Sequence, residues 1–415
     1  MRNLRHLLIH ATALLSVACV ATSAGAQPAL PPQLLNDPPS DVPVAVQQLR
    51  WSMNDANVNS LTFRAMDTLF TTRTVPRSGP VWQLERNDHA LDFSYQFDGK
   101  TYSSEQFLDR TFTNALLVMK DGKIVYEKYL NNSDAQTRFM GWSMTKSFTS
   151  VLVGFALAEG RIKSLDDRID TYLPELKGGA YEGVTIRQIM QMRSGVDYEE
   201  RYDFANPGIA ATNHINALVK NVTRFADPAR TLTRAHKPGE VFQYKTIDTA
   251  VLGWLVERVS GGSTIASYMA QRLWEPLGAE SDGYFIMDGP PGTGREFNGA
   301  GFNATLRDYA RFGLMMMNGG RANGRQIVSP EWVALSTKPT ESSQPARGEN
   351  MGYGMQWWTF GDDAYAALGL QGQYIFVDPK TRTVVVKLSY FPPADMTASA
   401  ETQAFLEAVS RWTPR

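Results

Sequence analysis

The order of its apolar runs constrains this chain most. Ala115-Leu116-Leu117-Val118-Met119 is an unbroken apolar run, Asp121-Gly122 is a turn pair, and Ile124-Val125-Tyr126 begins a return. That pattern predicts a β-hairpin. A second strand pair is expected near the C-terminus, where Tyr374-Ile375-Phe376-Val377 and Thr383-Val384-Val385-Val386-Lys387-Leu388 flank the turn-rich Asp378-Pro379-Lys380-Thr381-Arg382. Between them lie helical patterns, one starting near Ser143 and others at 185–193, 247–260, 264–275 and 305–317. Strands early and late with helices between do not make the alternating βαβ series of a parallel sheet. They predict an α+β domain: one antiparallel sheet assembled from both chain ends, flanked by helices, with a helical region inserted in the middle.

The chain has 415 residues, enough for a sizeable core. A formal net charge of −1 shows no basic excess, so a nucleic-acid partner is not expected. Residues 1–26 read as a secretory signal: Arg2 and Arg5, an apolar stretch from Ala11 to Ala21, then Ala24-Gly25-Ala26 before Gln27. The stretch is too short to span a bilayer comfortably, so no integral membrane segment is expected after cleavage. The only cysteine, Cys19, lies inside it, and cleavage after Ala26 leaves no thiol. Lipidation at Cys19 is the competing reading, with Ala18 suitably small but Ser16 where such motifs usually carry Leu. The expectation is a periplasmic or secreted protein. Residues 27–50 read as a Pro-rich leader, and the ordered domain is expected over 51–415, starting near Trp51 and Phe63.

Ser143-Met144-Thr145-Lys146 is an S-x-x-K match at the head of a helical pattern. Positions i and i+3 share a helix face, so the Lys146 amine can sit beside the Ser143 hydroxyl. Serine is a weak nucleophile until a neighbour takes its proton, and a lysine serves once burial lowers its pKa. The helix N-terminus adds free N–H groups where an oxyanion would develop. On these four residues alone, an N-cap serine followed by a surface lysine is the simpler reading. The helix after Lys146 is mostly apolar, however, and a lysine at the head of a buried helix needs a reason to be there. Gly141-Trp142-Ser143-Met144-Thr145 is not G-x-S-x-G. His89, His214 and His236 sit in no recognisable motif and read as structural, and no histidine pair has zinc-ligand spacing. No metal and no cofactor are expected.

With these residues placed, the chain from about Trp51 onward resembles the class C β-lactamase and D,D-peptidase group of serine hydrolases, and within it the 6-aminohexanoate-dimer hydrolases and related esterases. The resemblance implies the β-lactamase/penicillin-binding-protein-like fold. Pro238-Gly239-Glu240-Val241-Phe242-Gln243-Tyr244 looks like the family's P-G-x-x-x-x-Y segment, which puts Tyr244 on the catalytic tyrosine. Thr246 stands where the Y-x-N signature has Asn, and the resemblance to the 6-aminohexanoate-dimer hydrolases holds here too, since they also carry a small hydroxyl residue at that position. The third signature is similar to Ala367-Leu368-Gly369-Leu370, with Gly369 on the K-T-G glycine and Ala367 replacing the basic residue that holds a substrate carboxylate in penicillin-recognising members. The resemblance makes the N–H groups of Ser143 and Leu370 the oxyanion hole and leaves Gly369 and Thr246 bordering the substrate. Gly299-Ala300-Gly301-Phe302-Asn303-Ala304-Thr305 looks like the loop before a buried helix. Tyr198-Glu199-Glu200-Arg201-Tyr202-Asp203 resembles the loop bordering the cleft in amide-hydrolysing members, where Tyr202 is either a substrate contact or a surface tyrosine.

The implied enzyme is an acyl-enzyme hydrolase of a small ester or amide substrate, with Lys146 and Tyr244 drawing the proton from Ser143. The alternatives are a D,D-peptidase or β-lactamase acting on cell-wall material, against which Ala367 and Thr246 argue, and a non-catalytic binding protein on the same fold.

Overall fold

The computed structural model describes residues 38–202, 206–340, 351–361, 363–393 and 395–414. The expected hairpin forms as β1 (Thr113–Lys120) and β2 (Lys123–Tyr129). The late strands are β3 (Met351–Tyr353), β4 (Trp358–Phe360), β5 (Ala364–Gly369), β6 (Gln373–Asp378) and β7 (Thr383–Ser389). They build one seven-stranded antiparallel sheet in the order β3-β4-β5-β6-β7-β1-β2. The early and late segments meet inside it, where β7 pairs β1 with Val385 opposite Val118. The strands read as continuous apolar runs because both faces are covered. Leu117, Met119, Val384 and Val386 enter the larger core, whereas Leu116, Val118 and Val385 enter a second core on the opposite face.

Helix α1 (Met144–Ala158) runs through the larger core, buried along all but its last two residues. Beside it pack α2 (Thr246–Val259) and α3 (Leu306–Met317), the latter against β6 and β7. Met315, Met316 and Met317 are buried packing residues on α3. The opposite face is covered by α4 (Met396–Arg411), whose Phe405 stacks on Phe107 at 3.7 Å between ring centroids. Among the described residues no helix is long and apolar enough to cross a membrane.

The structure departs from the sequence-based expectation in two places. Ordered structure does not wait for Trp51. A helix at Val44–Ser52 buries Gln47 and Arg50, and the Arg50 guanidinium donates to the carbonyls of Leu69 (2.8 Å) and Leu218 (3.1 Å). Its buried face is partly polar, so no apolar periodicity marked it, and Pro43 introduces the helix rather than breaking it. The rest of the leader, residues 27–37, and the signal-like stretch 1–26 lie outside the described residues. The second departure is a four-stranded sheet of Thr72–Val75, Gly283–Ile286, Phe302–Thr305 and Arg138–Met140. Four of the seven residues of the expected loop at 299–305 are therefore strand.

Candidate active site

Arg138–Met140 delivers the chain to Gly141 and Trp142, and α1 starts two residues later. Trp142 has φ +48, a left-handed conformation that costs a bulky residue about 1–2 kcal/mol. Burial of its indole, edge-on to Phe63 at 5.4 Å, offsets that cost. The strained turn presents Ser143 at the head of the helix. The Ser143 side chain caps no helical N–H, so its hydroxyl is not occupied in the way an N-cap serine would be.

The polar residues of α1 are spent on neighbouring loops. Thr145 Oγ1 accepts the Phe302 N–H, and the hydroxyls of Ser147, Thr149 and Ser150 donate to the carbonyls of Gln356, Asn298 and Met355. Lys146 is different. It is 1% exposed, and its Nζ donates to three oxygens: Ser143 Oγ at 3.0 Å, Thr246 Oγ1 at 3.0 Å and the Gly299 carbonyl at 2.8 Å. Among the described residues no carboxylate pairs with it directly. Burial pushes its pKa down from 10.5 to about 8, while the negative charge of Glu200 pulls the other way. A buried amine that shares its proton readily and touches a serine hydroxyl is the arrangement a general base requires.

Tyr244 joins this group through its ring, whose centroid lies 5.0 Å from Lys146 Nζ. The ring stacks on Trp358 at 5.5 Å and meets Tyr353 edge-on at 6.1 Å, which fixes its plane. Met192, Phe242, Met351 and Leu368 complete that apolar wall. Thr246, at the first turn of α2, is in direct contact with Lys146. Tyr202 is brought in at one remove: 41% exposed, it donates from its hydroxyl to Glu200 at 3.1 Å.

The third signature arrives with β5. A Cβ built on Gly369 would lie 2.3 Å from the Gly141 carbonyl, so the end of β5 passes against the backbone that turns into Ser143. Only glycine allows that approach. Alanine at 369 is expected to push β5 from the Ser143 turn, lowering stability by about 1–3 kcal/mol and activity with it. Thermal denaturation of Gly369→Ala checks this, and an unchanged Tm would contradict the close approach. The next three residues form the β5–β6 turn, with Gln371 at φ +55 and Gly372 at φ +92. Buried Gln373 holds that turn by donating to the carbonyls of Leu370 (3.1 Å) and Gln371 (3.2 Å). Among the described residues no backbone carbonyl takes the N–H of Ser143 or of Leu370. Ala367 is buried in the larger core and offers no charge.

Two groups that shape the surroundings of Lys146 were not legible as such. The Gly299 carbonyl is backbone, and a Cβ on Gly299 would sit 2.6 Å from Thr246 Cγ2, which is the reason for glycine in that G-A-G stretch. Glu200 accepts from the Thr246 N–H at 2.5 Å and from its Oγ1, and nothing in local spacing marks it. Of the three histidines beyond residue 26, buried His214 has its pKa lowered to about 4 by burial and packs against Tyr202. Among the described residues no cluster of three or more metal-ligating side chains exists.

Comparison with known proteins agrees with this architecture. The 6-aminohexanoate-dimer hydrolase of Paenarthrobacter ureafaciens is 31% identical over 361 residues, covering 83% of this chain and 88% of that protein. A solved structure of a 6-aminohexanoate-dimer hydrolase homologue from Bacillus anthracis superposes with a TM-score of 0.76 at 25% identity, covering 86% of this chain and 95% of that one. A family VIII carboxylesterase shares the fold, with a TM-score of 0.57 at 18% identity over 74% of this chain and 95% of that one. The profile of the family described as Beta-lactamase matches residues 105–408, three quarters of the sequence. This chain therefore belongs to the beta-lactamase family and is a serine hydrolase of that fold.

Proposed function

We propose that the protein is an exported hydrolase of short esters or amides that works through an acyl-enzyme on Ser143. The observation that carries this reading is the buried Lys146 Nζ, 3.0 Å from a Ser143 hydroxyl that caps nothing. Neutral Lys146 accepts the Ser143 proton as Oγ bonds to the carbonyl carbon. The N–H groups of Ser143 and Leu370 receive the negative charge that collects on the carbonyl oxygen. Tyr244, held over Lys146, passes the proton to the leaving alcohol or amine as the C–O or C–N bond breaks. Water then attacks the acyl carbon as the same pair takes its proton, the bond to Ser143 Oγ breaks, the proton returns to that oxygen, and the acid is released.

Several features support an uncharged substrate. The wall beside Ser143 is aromatic, and Ala367 supplies no cation for a carboxylate, which disfavours penicillin-like substrates. A relative named for amide hydrolysis and a fold neighbour named as a carboxylesterase support the two bond classes. The signal-like residues 1–26 support export to the periplasm or beyond.

The test is turnover of short-chain p-nitrophenyl esters by the mature protein, with a serine-directed phosphonate as covalent probe. Turnover together with a label on the peptide carrying Ser143 is expected. A folded protein with neither would turn the reading toward a binding protein. The pH dependence follows from Lys146. The base form exists only above its pKa, so kcat/KM for an uncharged ester should climb as pH rises through about 8. A profile that is flat across that range would remove Lys146 as the base.

A further inference from the structure

We propose that Glu200 is a positioning residue that orders the protons around Lys146, taking the hydroxyl proton of Thr246 so that the lysine lone pair is left facing Ser143. This rests on the reading of Ser143 as the nucleophile. The argument is one of donors and acceptors. A carboxylate only accepts, and Glu200 receives both the Thr246 N–H, at 2.5 Å, and the Thr246 Oγ1–H. Threonine has one hydroxyl proton, so the side of Oγ1 that faces Lys146 carries a lone pair. The Gly299 carbonyl is likewise an acceptor only. A neutral lysine has two N–H groups and one lone pair. Its N–H groups are taken by Thr246 Oγ1 at 3.0 Å and by Gly299 O at 2.8 Å. The remaining neighbour is Ser143 Oγ at 3.0 Å, and the lone pair is what is left to meet it.

Were the threonine proton turned toward Lys146, it would occupy that lone pair and the serine proton would have no acceptor. Glu200 forbids this arrangement, and the Tyr202 hydroxyl donates to the same carboxylate oxygen, Oε1, that takes the threonine proton. Glu200 does not itself touch Lys146 Nζ, and it acts through Thr246.

Other ionisable groups also surround the amine. Tyr244 lies over it, Tyr353 and Tyr198 are buried nearby, and Lys245 and Asp248 are buried behind Thr246 at the start of α2. Of these groups Glu200 supplies the negative charge felt at Lys146. Removing it lowers the stability of the ammonium, so the acid limb of the pH–rate profile moves to lower pH even as the proton order is lost.

The experiment is a full pH–rate profile of ester hydrolysis for Glu200→Gln, Glu200→Asp and Thr246→Val beside the unmutated mature protein and Ser143→Ala. Glu200→Gln is expected to lower kcat about tenfold or more with little change in KM. It should also shift the acid limb down by about one pH unit. Glu200→Asp should recover part of both. A purely structural glutamate would lower Tm without moving the limb. A folded Glu200→Gln with the limb unmoved and kcat within about twofold overturns the proposal. Should that variant not fold, Thr246→Val decides, because it keeps the shape and removes the bridging hydroxyl: a kcat loss supports the ordering and an unchanged kcat overturns it. Activity surviving in Ser143→Ala would sink the parent reading, a result distinct from every outcome at Glu200.

Discussion

Alanine at position 143 is expected to remove ester turnover by a factor of about 10⁴ or more, and phosphonate labelling with it, while leaving the fold intact. The two halves of this expectation have one cause. If Ser143 were an N-cap, its loss would cost about 1 kcal/mol of stability and no chemistry. Among the described residues the Ser143 side chain caps nothing and takes its hydrogen bond from Lys146, which keeps Thr246 Oγ1 and the Gly299 carbonyl in the variant. The stability change should stay below about 1 kcal/mol. Activity measured beside thermal melting checks both halves, and an active or strongly destabilised Ser143→Ala would contradict the assignment.

Lys146→Met is the second large effect. It should cost activity on a similar scale, since a serine without its base is a poor nucleophile at neutral pH. Its effect on stability runs the other way. The folded pKa of about 8 against an ordinary 10.5 means that burying the charged lysine costs on the order of 3 kcal/mol at pH 7. The three hydrogen bonds return part of that. Methionine of similar length removes the buried charge, so the variant should melt at or above the temperature of the unmutated protein at pH 7. The effect fades with pH in a defined window. Between about 8 and 10.5 the unfolded lysine still holds a proton that the folded one has released, so raising the pH favours the native state. The advantage of Lys146→Met should shrink across that window. Melting curves at pH 7 and near pH 10 test this. A variant that is markedly less stable at pH 7 would mean that Lys146 is retained for packing rather than for chemistry.

What the sequence disclosed follows the range of the physics involved. The β1–β2 hairpin, α1 and the late strands β6 and β7 are announced by long apolar runs with turn residues between them. Ser143 and Lys146 are three residues apart and need only a helix to meet. Tyr244 and Gly369 were placed by family resemblance, and the close approach of Gly369 to the Gly141 carbonyl gives the glycine a physical reason. The second sheet was missed because its strands are three or four residues long, too short to show a period. The start of ordered structure was set at Trp51 because the helix at Val44–Ser52 buries Gln47 and Arg50, which read as surface residues in a linear sequence. Glu200 and the Gly299 carbonyl meet Thr246 and Lys146 from 46 and 153 residues away. Contacts of that separation exist only once the chain is folded. One is a backbone atom, and the other is a glutamate whose neighbour Glu199 has the same chemistry on paper and is exposed to solvent.

The pairing of β1 with β7 has a consequence for how the enzyme comes into being. The Lys120–Thr383 contact that ties these strands spans 263 residues. Such a closure is slow, because the loop entropy is lost before the contacts form. The interior of the sheet, and with it the β5–β6 turn that flanks Ser143, is completed only by strands made long after β1 and α1. A growing chain therefore carries Ser143 and Lys146 without a completed site until β7 has been made. Truncation within β7 would remove the sheet's middle rather than its rim, leaving β1 and β6 as two raw edges prone to pair with other chains.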